Sequence, residues 1–163
     1  MALSGAELRD RLDPKHLTTD EMREEVEEQA KLVMPPARDE KQKDPEADPK
    51  AQREYIFDFE WKDPHGKVWK GKFTNKVPDI RTRQLVGALR AQLGNNLPAE
   101  ALDLATQEIN LVIAHMTFSL IKRPKWAEDL GALYDFQLLQ AIYQEVANHE
   151  ATFLGYGSLT AAG

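Results

Sequence analysis

The sequence predicts an α+β protein, mainly helical, in which a β-hairpin precedes a three-helix core and an extended acidic arm with one or two short helices comes first. Three observations carry that expectation. A period-two aromatic pattern runs through residues 55–73, and apolar residues recur at steps of three and four through residues 80–153. Residues 35–53 hold four prolines and no large apolar side chain, so they separate an arm from a folded part.

The arm begins with Ser4 and Glu7 at capping-box spacing, and Ala6, Leu8 and Leu12 share one short helical face that ends at Asp13-Pro14. Thr18 and Glu21 repeat the cap signature. A helix follows over Asp20–Val33, on which Met22, Val26, Ala30 and Val33 form a thin apolar stripe among acidic residues. Nothing local is available to cover that stripe, so it reads as a helix-in-groove face for a partner. Pro35-Pro36 ends the helix. The expected organisation is an amphipathic arm over 1–34, a flexible linker over 35–54, a hairpin-plus-helices domain over 55–155 and a tail over 156–163. On this plan, removal of residues 1–53 leaves the remaining fold intact.

In the hairpin, Tyr55, Phe57, Phe59 and Trp61 fall on one face of the first strand, with Asp58, Glu60 and Lys62 on the other. Asp63-Pro64-His65-Gly66 is a turn, and the return strand Lys67–Asn75 places Trp69, Gly71 and Phe73 opposite to Val68, Lys70, Lys72 and Thr74. Two strands alone are marginal, so the hairpin must cover helices or pair with another sheet. The first core helix takes Asp79 as N-cap, carries Leu85, Val86, Leu89 and Leu93 on one side, and stops at Gly94-Asn95-Asn96. The second, about 98–122 with Pro98 in its first turn, carries Leu102, Ala105, Ile109, Val112, Ile113, Met116 and Leu120. Lys122 and Arg123 complement its C-terminal dipole and Pro124 closes it. After a loop with Trp126, a third helix starts near Asp135, with Phe136, Leu139, Ile142, Tyr143 and Val146 on its face. The expected core is Phe57, Phe59, Trp61, Trp69, Phe73, Ile109, Val112, Ile113, Met116, Leu139, Ile142 and Val146.

The 163 residues make one ordinary domain, and mean hydropathy is −0.55 with no run long enough for a transmembrane helix. The first five residues lack the pattern of a signal peptide, and the absence of cysteine excludes disulfides and thiolate chemistry. A soluble, intracellular-type protein is expected. The net charge of −6 divides into −5 over residues 1–54, +4 over 55–90 and −5 over 91–163. Such alternation suits docking within the chain or between copies of it, and is also what a simply solvated surface shows. It does not suit a uniform nucleic-acid binder, which needs an unopposed basic surface.

No motif points to catalysis. His115 and His149 lie near Glu108, Glu145 and Glu150, but neither Glu-x-x-His pairs nor His-Glu-x-x-His occur, so no metal or other cofactor is expected. His115, inside an apolar stripe, reads as a hydrogen-bonded residue at the core edge. Glycines are scattered singly, and Ser4, Ser119 and Ser158 sit in no nucleophile elbow. Lys67, Lys70 and Lys72 interleave with aromatics and are the weak candidates for a binding surface. Strand geometry turns Lys70 and Lys72 away from Trp69 and Phe73, which argues against a stacking platform for single strands.

An aromatic-rich hairpin over Phe59–Phe73, a helix over Ile80–Leu93, the run Ala114-His-Met-Thr-Phe-Ser-Leu120 before Lys-Arg-Pro124 and Trp126, and a last helix with Ile142-Tyr-Gln-Glu-Val146, His149-Glu150 and Phe153 occur in that order. This order over residues 55–155 resembles small tailed-bacteriophage assembly proteins, particularly the tail assembly chaperones. The resemblance implies a non-enzymatic protein that escorts tape-measure and tail-tube subunits in the host cytoplasm. It implies as partners other phage structural proteins, tail or head subunits, or further copies of the chain, with no membrane; nucleic acid is disfavoured, and a nucleic-acid-binding accessory using the basic stretch 55–90 is the third reading. The long acidic arm departs from that pattern and suits a virion component instead, a head-decorating or connector protein whose terminus crosses neighbouring subunits.

Overall fold

The computed structural model describes residues 19–31 and 49–156, with only the backbone of Ala30 and Lys31. The short helix expected over Ala6, Leu8 and Leu12, the Thr18 cap, Val33, residues 35–48 and the tail from 157 lie outside the described residues. Within them the protein is α+β, with four α-helices and a three-stranded antiparallel sheet. In chain order these are α1 (Thr19–Lys31), β1 (Glu54–Lys62), β2 (Val68–Lys76), α2 (Ile80–Leu93), α3 (Leu104–Ser119), β3 (Leu120–Lys122) and α4 (Phe136–Phe153).

Alternation of aromatics sets the sheet. β1 and β2 pair with Phe57 opposite Phe73, Phe59 opposite Gly71 and Trp61 opposite Trp69, so the apolar side chains share one face. The turn between them is held by Asp63, whose carboxylate accepts from the backbone N–H groups of His65 and Lys67, both at 2.9 Å, while Gly66 takes φ +84°. Burial works against ionisation of Asp63, but the hydrogen bonds from Lys67, Trp69 and His65 outweigh it, and its pKa is lowered. Phe57 and Phe73 stack at 5.4 Å, and Trp126 meets Phe73 edge-on at 5.8 Å. Trp126, from the connection after β3, also donates to the Lys70 carbonyl at 2.8 Å. Pro124 lies across Gly71 so closely that a Cβ there would fall 2.5 Å from its Cγ.

The helices start where aspartates cap them. Asp79, Asp103 and Asp135 accept from backbone N–H groups of Thr82, Thr106 and Gln137 respectively. α3 therefore begins at Leu104, and Pro98 precedes a separate 3₁₀ turn over Ala99–Ala101. The expected helix over 98–122 is shorter at both ends. Leu120–Lys122 leave the helix and pair with Thr74 and Asn75 of β2, because that strand offers an unfilled hydrogen-bonding edge. Arg123 does not serve the helix dipole; its Nη2 donates to Asp20 of α1 at 2.6 Å.

α3 lies between two apolar clusters. Val112, Ile113, Met116 and Leu120 join Phe57, Phe59, Phe73, Leu138, Leu139, Ile142 and Val146 beneath the sheet, with Trp61, Trp69 and Ile109 half-buried against them. Ala114 and Phe118 join Val86, Leu89 and Val26 on the other side. Val26 is only 5% exposed, and Met22 packs beside it.

Two expectations about the arm are corrected here. The stripe Met22–Val26 is covered by α2 and α3 of the same chain, because their apolar surface needs a third helix as much as α1 does. Removing residues 1–53 would strip that cover. The linker expected over 35–54 also ends early. Pro49–Ala51 form a 3₁₀ turn, Gln52 accepts from His149 at 2.7 Å, and Arg53 exchanges backbone and side-chain bonds with Val77.

Candidate functional site

Docking of α1 is electrostatic as well as apolar. α1 carries six acidic and two basic residues, and α2 carries three arginines and no acid. Thr19 donates through its hydroxyl to Asp129 at 3.2 Å, Gln92 donates to Glu25 at 2.8 Å, and the Arg23 guanidinium lies 5.4 Å from the Phe118 ring centre. Of the four residues expected to face a partner, Met22 and Val26 are thus engaged within the chain. The side chain of Ala30 is not described, and Val33 lies outside the described residues.

A polar cluster joins α2, α3, α4 and the chain before β1. His149 is fully buried. Its Nε2 faces the Gln52 carbonyl, which can only accept, so the proton of the neutral ring sits on Nε2 and Nδ1 accepts from Asn75 Nδ2 at 2.8 Å. Asn75 Oδ1 is left without a partner among the described residues. Next to it, buried Glu150 accepts from His115 Nε2 at 2.8 Å and lies 4.0 Å from Arg83 Nη2. Tyr143 meets the His115 ring edge-on at 5.7 Å. Burial pushes the Tyr143 phenol above its ordinary pKa, and the Glu150 charge adds to this while Arg83 opposes it. The cluster ties helices together through charge-assisted bonds. Among the described residues no group of three or more His, Cys, Asp or Glu could hold a metal ion.

The outer face of the hairpin carries a ladder of opposite charges. Lys70 pairs with Glu60 at 3.2 Å, Lys76 with Glu54 at 3.4 Å and Lys72 with Asp58 at 3.9 Å. Lys70 and Lys72 therefore face carboxylates directly across the strand pair, and Lys67 stands apart with its amine 3.7 Å from the Trp69 ring centre. Such exposed pairs add little stability, but they fix where the charges lie.

The sheet order β1-β2-β3 leaves β1 at an edge. Asp63 N–H bonds Lys67 O and Val77 N–H bonds Arg53 O, both at 2.9 Å, so odd-numbered residues of β1 direct their backbone groups to β2. The N–H and C=O groups of Ile56, Asp58, Glu60 and Lys62 consequently point away from the sheet. Among the described residues no hydrogen bond reaches them. The opposite side of the sheet is closed by β3 and by Trp126. Ile56, 61% exposed, stands on the open edge. Sequence alternation gives the two faces of β1, but its place at the edge follows from the tertiary pairing. The His149–Asn75 bond escapes sequence reasoning for the same reason, since its partners are 74 residues apart.

Comparison with protein-family models, curated proteins and solved structures returns no match.

Proposed function

We propose that this chain is a non-enzymatic interaction protein in tailed-phage particle assembly, acting most like a tail assembly chaperone in the host cytoplasm. The order of hairpin and helices that resembles those chaperones motivates the reading, and the open edge of β1 supports it. An unpaired strand edge on a folded domain is a surface on which an incoming chain completes its hydrogen bonds. The paired lysines of the outer face favour a protein partner over nucleic acid, because carboxylates already oppose them. In this reading the protein holds aggregation-prone tail subunits until they polymerise.

The test is the protein content of particles and of assembly intermediates. The chaperone role requires co-purification with identified tail-tube or tape-measure subunits and absence from finished particles. Stoichiometric presence in finished particles would overturn it and would favour a head-decorating or connector protein.

A further inference from the structure

We propose that the open edge of β1 binds an extended strand from another protein that carries lysine or arginine at alternate positions, in preference to a second copy of β1. The inference rests on the partner-binding reading and names the chemistry of that partner. The outward-facing backbone residues of β1 are also the outer-face side chains, in the order Glu54, Ile56, Asp58, Glu60 and Lys62. An added strand must match even-numbered residues with its own outward groups, so charge along this row decides which strand fits.

Pairing with an identical β1 meets that requirement less well. Antiparallel registers that overlap five residues or more set Glu54 against Asp58, Glu54 against Glu60, Asp58 against Asp58, Asp58 against Glu60, or Glu60 against Glu60. Each places like charges directly opposite; where Asp58 meets Asp58 or Glu60 meets Glu60, Lys62 faces Glu54 or Asp58 and offsets the clash, and in the other three registers nothing does. A strand with basic residues at alternate positions sets them against Glu54, Asp58 and Glu60 and meets a like charge only at Lys62. Its cations would approach Asp58 and Glu60 from the side opposite to Lys72 and Lys70, while Ile56 offers an apolar contact between them.

The experiment uses the full chain, labelled with nitrogen-15, and two nine-residue synthetic peptides, one alternating lysine with valine and one alternating glutamate with valine. The lysine peptide is expected to shift the amide resonances of Ile56, Asp58, Glu60 and Lys62 and to slow their hydrogen exchange, leaving those of Phe57 and Phe59 unchanged. Its affinity should exceed that of the glutamate peptide by about tenfold at low salt and lose most of that margin near 0.5 M salt. Asp58→Pro removes one outward N–H while sparing the ladder to β2, and should abolish binding. Should that variant fail to fold, Asp58→Lys with Glu60→Lys should reverse the preference between peptides. Equal binding of both peptides, no effect on the even-numbered amides, or their protection by self-association without peptide would overturn the proposal. Failure of the peptides alongside retained co-purification of tail subunits would reject this edge and leave the assembly role standing.

Discussion

Replacing Val26 by alanine separates a helix docked on its own chain from one displayed to a partner. Val26 is 5% exposed and faces Leu89 and Ala114, both fully buried. The substitution removes two carbons, at about 0.8 kcal/mol each, and leaves a gap that rigid neighbours fill poorly. Alanine returns about 0.5 kcal/mol through its higher helix propensity. The net loss is about 1.5 kcal/mol, or about 6 °C in Tm for a domain of this size. Urea unfolding followed by far-ultraviolet circular dichroism measures it, with Glu24→Ala on the exposed side as control. Amide exchange should accelerate first in α1, since the loss is confined to its docking. A Val26→Ala protein within about 0.5 kcal/mol of the parent, the range of ordinary surface changes, would refute the cis docking of α1.

His149→Phe puts a slightly larger, purely apolar ring in a fully buried site and leaves the Gln52 carbonyl and the Asn75 amide without partners, so a loss of about 2–4 kcal/mol is expected in the same unfolding assay; an unchanged midpoint would show that neither bond matters. Gly71→Ala drives a methyl into Pro124 and should cost about 1–3 kcal/mol, with a change in tryptophan fluorescence as Trp126 shifts. Unaltered emission and stability would mean that the Pro124 segment yields freely. The Thr82 backbone N–H bonded to Asp79, helped by the Thr82 hydroxyl and Arg53, lowers the Asp79 pKa. The stabilisation it confers is therefore complete above the ordinary carboxylate pKa of about 4 and disappears as pH falls through the lowered folded value. Asp79→Asn retains a capping oxygen and should flatten the acid limb of the Tm-against-pH curve; coincident acid limbs would contradict this.

Much of the helical pattern was legible because it depends on neighbours. Asp79 and Asp135 cap the helices that their sequence positions predict, and the Asp63–Gly66 turn forms between the strands whose alternation frames it. The stripe through Ile109, Val112, Ile113 and Met116 lies on the sheet side of α3. A second stripe at steps of four, Asn110, Ala114 and Phe118, was equally present in the sequence and marks the face that receives α1. Reading α3 as one-sided is what left the α1 stripe without a local surface. Leu120–Lys122 continue the helical spacing, so their transfer to the sheet was invisible without the edge of β2.

Amino-acid order by itself determined the α+β class, the two faces of the hairpin, the helix starts at Asp79 and Asp135 and the charge alternation of −5, +4 and −5. These follow from short-range sterics, hydrogen bonding within a few residues and simple counting. Only the tertiary structure decided where the acidic helix rests, that His115 meets Glu150, and that among the described residues nothing pairs with the outer edge of β1 while β3 and Trp126 bond the far side of the sheet. Thr19 reaches Asp129 across 110 residues and Arg123 reaches Asp20 across 103. Contacts at such separations are chosen by which complementary surfaces remain uncovered once the local elements have formed, and the sequence pattern of any one element does not contain that choice.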